Sequence, residues 1–185
     1  MLYSFNNNSV LKGEYYVKKG INAWSFAAGT PAVECIKIAK SAGYDGLELA
    51  FDESGEVSLE SSEKELRAIK NAAADEGIEL PSLASGLYWN FPFTSDDKSV
   101  AEKAKCIAKK QLEAAAILGA DTILIVPGTV GADFIPGSKV VSYDAAYDRA
   151  LEAMEELKTY AKKLKVSIGI ENVWNKFLLS PLEMR

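Results

Sequence analysis

Ser167-Ile168-Gly169-Ile170-Glu171-Asn172-Val173-Trp174 reads as a short β-rich run with an acid at its far end, within a fifth strand expected over Val166–Val173. Side chains alternate along a strand, so Ser167, Gly169 and Glu171 share one face while Ile168, Ile170 and Asn172 share the other. Small residues below an acid suit a crowded interior, and the isoleucines suit a covering layer of helices. Shortly after comes Ser180-Pro181-Leu182-Glu183. Ser at N-cap, Pro at N1 and Glu at N3 form a capping box. A freshly capped helix is expected to run for several turns, because one turn does not recover its nucleation cost. The expectation is a repeating strand–helix array cut at the start of its fifth helix, with a candidate active-site carboxylate on the last strand.

Working back from that strand, the same alternation recurs. A first strand is expected over Lys19–Phe26, followed by a helix capped by Thr30-Pro31 that runs to Ser41 with Val33, Cys35, Ile36 and Ala39 inward. Gly43 ends it. Gly46–Phe51 reads as the second strand, and Ser62-Glu63-Lys64-Glu65 as a capping box for a helix that reaches Glu76 and stops at Gly77. Glu79–Leu87 reads as the third strand. An aromatic loop over Tyr88–Asp97 leads to a helix over Val100–Leu118, closed by Gly119. Thr122–Val126 is β-branched and apolar, the mark of a fourth strand. A Gly-containing loop then runs to Ser142. The fourth helix carries Tyr143, Ala146, Tyr147, Ala150, Met154, Leu157 and Ala161 at spacings of three and four, a core stripe rather than a cofactor site.

Strands alternating with helices imply parallel pairing. No G-x-G-x-x-G or G-x-x-x-x-G-K-[ST] loop supports a nucleotide-binding doubly wound sheet. A (β/α)8 TIM barrel takes about 250 residues, and about five βα units plus a tail use the 185 present. The fold class expected is therefore α/β, an incomplete (β/α)8 barrel over 19–185, preceded by an N-terminal tail over 1–18.

Composition narrows the chemistry. Lys+Arg 21 against Asp+Glu 26 leaves a net charge of −5, which argues against a broad nucleic-acid footprint. Lys103, Lys105, Lys109 and Lys110 cluster on one helix and read as a solvated face. No run approaches the roughly 20 apolar residues of a membrane span, and the N-terminal residues have no apolar signal core. Cys35 and Cys106 both fall in apolar helical patterns, so buried free thiols and a reducing, cytoplasmic setting are expected. There is no histidine. A Ser-His-Asp or Cys-His site within these residues is thereby excluded, and chemistry must rest on carboxylates, lysines, tyrosines or a bound metal.

In a barrel the site lies at the C-terminal ends of the strands. Glu171 is placed there and points at the barrel axis. Glu48 repeats the logic on the second strand, with Leu47, Leu49 and Phe51 outward; it can hold a substrate hydroxyl or orient another group, and a structural ion pair is an equal alternative. Trp24 and Phe26 after the first strand, and Trp89 and Phe91 after the third, can wall a small polar ligand and exclude water; plain packing is the alternative for each. An ionised carboxylate binds a divalent cation through hard oxygens and can take a proton from carbon next to a carbonyl. One Glu does not make such a site alone.

Gly20-Ile21-Asn22-Ala23-Trp24-Ser25-Phe26, Gly43-Tyr44-Asp45-Gly46-Leu47-Glu48-Leu49, Gly119-Ala120-Asp121-Thr122 and Ile168-Gly169-Ile170-Glu171-Asn172 together resemble the sugar phosphate isomerase/epimerase family of xylose isomerase-like TIM barrels, which includes tagatose 3-epimerase-like and hexulose-phosphate isomerase-like enzymes. The resemblance runs from about Lys19 to Arg185. It implies a divalent metal, manganese first and Mg2+, Co2+ or Zn2+ as alternatives, held by a Glu after strand five and by an Asp, a His and a second Glu from later strands. Glu171 matches the first of these, as metal ligand and catalytic acid/base. The other ligands have no counterpart in this chain, which is expected to be inactive alone. Trp24, Glu48 and Trp89 match substrate-pocket regions by strand position.

The leading expectation is part of a metal-dependent isomerase or 3-epimerase of a ketose or ketose phosphate, working by proton transfer through an enediolate. Its partner is a small sugar, with neither nucleic acid nor membrane involved. A keto-inositol-type dehydratase of the same superfamily is one alternative. A non-catalytic half-barrel that pairs with a partner chain, or with itself as a homo-oligomer, is another. A DNA-repair endonuclease on this fold is more distant, since it would want histidines and a basic face.

Overall fold

A computed structural model describes residues 17–184. Most of the expected tail over 1–18 lies outside these residues. Five strands, β1 (Gly20–Asn22), β2 (Gly46–Ala50), β3 (Ser82–Ala84), β4 (Thr122–Ile125) and β5 (Ser167–Ile170), form one parallel sheet in the order β1-β2-β3-β4-β5. Four helices connect them: α1 (Ala32–Ser41), α2 (Glu63–Glu76), α3 (Lys98–Leu118) and α4 (Tyr143–Leu164). Each helix packs on the next, α1 on α2, α2 on α3 and α3 on α4. Sequential strand order with consecutively packed helices is the winding of a (β/α) barrel; a doubly wound sheet reverses its strand order at a switch point. The described residues form five strands and four helices of that design.

The apolar residues explain the layering. Leu47, Leu49, Leu83, Ile123 and Ile125 are buried and face the helices, where they meet Ile36, Ala39, Leu66, Ile69, Ala104, Ile107, Ala108, Leu112 and Leu157 in one core. A second, smaller cluster joins Val141, Ala146 and Ala150 to Phe177 and Leu178, with Ile170 against it. Gln111 is buried inside the first core. It donates to the Leu83 carbonyl at 2.9 Å and accepts from the Tyr88 hydroxyl at 2.6 Å, fixing α3 to the sheet. Burial pushes the Tyr88 phenol well above its ordinary range.

The caps explain where helices start and stop. Ser62 and Glu65 make the expected reciprocal box on α2, and Gly77 closes it in a left-handed conformation. Asp97 caps α3 two residues earlier than expected, and Ser142 caps α4.

Several expectations are corrected. The strands are shorter than their apolar runs: β1 stops at Asn22 because that side chain accepts from the Trp24 N–H and turns Ala23–Ser25 into a 3-10 turn. Thr30 does not cap α1; its hydroxyl donates to the Ala27 carbonyl, and the Ala32 N–H is satisfied from outside by Glu56 at 2.6 Å. Val33 is only half-buried, and Ala32 takes the inward position. Cys35 is buried as expected, but Cys106 is exposed, because the buried stripe of α3 runs through Ala104, Ile107, Ala108 and Gln111 and passes it by. Ser180–Glu183 forms a turn rather than a capped helix. The Glu183 carboxylate receives the Tyr143 and Ser180 hydroxyls and the Leu179 N–H, and these partners with the Ser180 backbone hold it below its ordinary value.

Candidate functional site

The inner face of the sheet is polar at one level. Asn22 on β1, Glu48 on β2 and Ser82 on β3 lie side by side, with Asn22 paired to Glu48 in the strand register. The Asn22 amide donates to one Glu48 oxygen at 2.7 Å, and the Ser82 hydroxyl donates to the other at 2.6 Å. Glu48 is therefore held by hydrogen bonds from both flanking strands, not by the ion pair considered for it. Higher on the same face stands Glu171, carried just past the end of β5. Its backbone N–H still donates to the Ile125 carbonyl at 2.9 Å, which ties it to β4. Gly169 beneath it lies close to that strand: a Cβ there would sit 3.4 Å from the Ile123 carbonyl oxygen. The Glu171 carboxyl is pushed above its ordinary value, first by burial and then by the negative charge of Glu48. The two carboxylates named from sequence thus share one field on the inner face.

The three tryptophans divide between two sides. Trp24 lies in the turn after β1, 60% exposed, and lines a cleft with Phe26, Asp52 and Glu56. Trp89 lies in the 3-10 turn Leu87–Trp89 after β3, half-buried. Its ring meets Phe134 edge to face at 5.1 Å, and Phe134 meets Trp174 in the same way at 6.2 Å. Phe91 instead lies beneath the Lys103 ammonium, 5.7 Å from its ring centre.

Phe134 and Trp174 were not legible as site residues. Neither falls on a periodic element, and only the folded loops bring them to Trp89. The loops after β4 and β5 are locked together by Asn175, which is buried. Its side chain donates to the Gly128 carbonyl at 2.5 Å, and its backbone carbonyl receives the N–H groups of Val130 and Gly131. In sequence it is one of two polar residues, with Lys176, inside Val173–Leu179, and nothing there singles it out.

The donor set for a metal is small. Among the described residues no three His, Cys, Asp or Glu side chains come together as a cation centre. Glu171 could offer one hard oxygen ligand, while both oxygens of Glu48 are engaged by Asn22 and Ser82. These residues alone do not fit a complete divalent-cation site.

A family model described as the xylose isomerase-like TIM barrel matches residues 36–184. The chain belongs to that family. Among its relatives are the L-ribulose-5-phosphate 3-epimerases UlaE of Shigella flexneri and of Escherichia coli strain SE11, each 29% identical over 162 residues, covering 82% of this chain and 52% of the relative. Among solved structures, a D-psicose 3-epimerase crystallised in the presence of D-fructose superimposes with a TM-score of 0.71 at 24% identity, over 85% of this chain and 53% of that one. The 3-keto-D-glucoside 4-epimerase YcjR from E. coli gives 0.63 at 16% identity, over 85% and 57%. At these identities the structural likeness carries the barrel fold alone. The chain spans about half the length of the relatives it matches. No helix among the described residues is long and apolar enough to cross a membrane.

Proposed function

We propose that the chain carries the first half of a ketose 3-epimerase or isomerase site, acting on a ketose or ketose phosphate by proton transfer through an enediolate, with Glu171 as the acid/base. The observation that carries this reading is the position of Glu171: a partly buried carboxylate at the C-terminal end of a barrel strand, its proton affinity raised by burial and by Glu48. A raised carboxyl is better matched to taking a proton from carbon next to a carbonyl and returning it. The 3-epimerase relatives support the substrate class. Epimerisation at C3 requires Glu171 to remove or deliver the proton on one face and a second acid to serve the other face; the described residues assign no such second acid.

Glu48, Trp24 and Trp89 belong to the same proposal as substrate-facing groups. Glu48 acts from a fixed position, since two neighbours hold its oxygens. A divalent cation, manganese before Mg2+, Co2+ or Zn2+, is part of the reading by family resemblance, with Glu171 as the one ligand named here. The proton transfer described above rests on the carboxylate alone. A reducing, cytoplasmic setting accords with two free thiols.

The test is Glu171→Gln in the full-length protein, with C3 proton–deuterium exchange of D-psicose and L-ribulose 5-phosphate followed by NMR. Exchange should fall by at least about a hundredfold, the usual weight of a positioned acid/base, with an unchanged circular dichroism spectrum. Exchange retained at the wild-type rate removes Glu171 from the mechanism.

A further inference from the structure

We propose that the buried Tyr88–Gln111 hydrogen bond positions Trp89: it reaches from the middle of α3 to the turn after β3 and sets the indole for the substrate wall. Tyr88 and Gln111 are then positioning residues, buried in the core and acting through Trp89. The inference rests on Trp89 being a substrate-facing group of the site proposed above, and it adds the residues that hold that group in place.

Trp89 ends the 3-10 turn Leu87–Trp89. A turn of three residues does little to fix itself, because 3-10 hydrogen bonds have poor geometry. Here they are Trp89 N–H to the Gly86 carbonyl at 3.2 Å and Asn90 N–H to the Leu87 carbonyl at 3.0 Å. The turn is held from below instead. Tyr88 points into the core, only 2% exposed, and stacks on Phe93 with ring centres 5.2 Å apart. Its hydroxyl donates to the Gln111 side-chain oxygen at 2.6 Å. Gln111 is fully buried, and its amide nitrogen donates to the Leu83 carbonyl at 2.9 Å and lies 3.4 Å from the Leu124 carbonyl. One side chain of α3 thus joins β3, β4 and the turn. Ser85 makes a second pin: its hydroxyl donates to the Phe51 carbonyl at 2.8 Å and accepts from the Leu87 N–H at 3.2 Å. The first two residues of the turn are pinned, and Trp89 is the next side chain along. These pins are complete within the described residues: β2, β3 and β4 each have a strand on both sides, and α3 packs between α2 and α4.

The pair supplies direction more than stability. A buried neutral hydrogen bond adds little net stability, because both groups give up water to make it, and an apolar pair of similar shape can serve the core almost as well. Apolar contact is non-directional, whereas a short O–H···O bond restricts both distance and angle. Phe at 88 and Met at 111 would fill the same space and leave the turn free to shift. Burial keeps the Tyr88 phenol protonated, so its hydroxyl remains a donor at working pH. An indole fixed before a ligand arrives loses less conformational freedom on binding.

The test uses the full-length protein labelled with 5-fluorotryptophan. Fluorine NMR reads the Trp89 ring, assigned as the signal that Trp89→Phe removes. Tyr88→Phe keeps the ring and its stack on Phe93 and removes one hydroxyl. Gln111→Met keeps the side-chain length and removes the amide. Each should shift, broaden or split the Trp89 resonance. Tyr160→Phe breaks a hydroxyl bond from α4 to Glu113 on the same helix α3, and should leave that resonance in place. Calorimetry with D-psicose reads the consequence for binding. Trp89→Ala should weaken affinity by about tenfold, the worth of one aromatic contact, and Tyr88→Phe by about fivefold. On a Trp89→Ala background, Tyr88→Phe should weaken it by less than about twofold, the non-additivity expected when one residue acts through another. A Trp89 resonance unmoved by both Tyr88→Phe and Gln111→Met, or an equal loss of affinity with and without Trp89, would overturn the proposal. Binding needs no proton transfer, so losing Glu171 from the mechanism leaves these results readable. A wild type that binds no D-psicose strikes the sugar reading, and the Trp89 resonance then decides the positioning by itself.

Discussion

Asn175 serves the site by joining loops rather than by facing substrate. Replacing it with Ala leaves the Gly128 carbonyl and the Phe177 N–H without their partners inside a buried pocket. An unmet buried polar group costs about 1–3 kcal/mol, so Asn175→Ala should destabilise by about 2–4 kcal/mol, read from the midpoint of urea unfolding. A shift under about 0.5 kcal/mol would mean that water replaces both bonds. Gly128 is constrained for a related reason, since a Cβ there would sit 2.1 Å from the Thr94 methyl. At this scale the sequence shows which residues carry charge and which face of a strand they occupy: Glu171 and Glu48 were placed on the inner face by alternation alone. It does not show their partners. That Glu48 is held by Asn22 and Ser82 depends on strand register, which brings together residues 26 and 34 positions from it.

Helices α3 and α4 are linked on their exposed side by Glu156, which receives Lys105 at 2.9 Å and Lys109 at 2.8 Å. Hydrogen bonds from Lys109 and then Lys105 hold the Glu156 carboxyl below its ordinary value, and bonding to Glu102 and Glu156 raises Lys105. A carboxyl lowered on folding adds stability above its unfolded value of about 4.3 and loses it as pH falls through the folded one. The pair is 42% exposed on the Glu156 side, so solvent screening keeps its contribution under about 1 kcal/mol. Wild type should therefore exceed Glu156→Gln in stability by that small amount at pH 7 in low salt. The difference should shrink with added salt and be lost as pH falls through the lowered Glu156 value; a difference that persists in strong acid would refute the ion-pair account. The helices themselves were legible to within a few residues because their caps are local: Ser62, Gly77, Gly119 and Ser142 act within one turn. The strands were read too long because an apolar run says where a strand can form, while a neighbouring strand decides where pairing ends.

Across the described residues, β3 has a neighbour on both sides and is buried throughout, whereas β1 pairs on one side only and has no buried residue. Local opening free energies follow burial and pairing. In the 185-residue chain, amide hydrogen exchange should be slowest at Leu83 and Ile123 and at least about tenfold faster at Ile21, by mass spectrometry or NMR. Equal protection across all five strands would show that the β1 edge is covered in solution. Leu151 on α4, and Leu179 and Leu182 in the segment after β5, are exposed.

Taken by itself, the sequence determined the alternation of strands and helices, the parallel barrel class and the position of one carboxylate at a strand end. These follow from periodicity and capping, which are encoded within a few residues. Only the tertiary structure decided that Glu48 is held by β1 and β3, that Asn175 ties two loops together, and that Trp89, Phe134 and Trp174 form one row. Trp174 lies 85 positions from Trp89. Their meeting is fixed by the sheet order and by the folded loops, neither of which leaves a period in the chain.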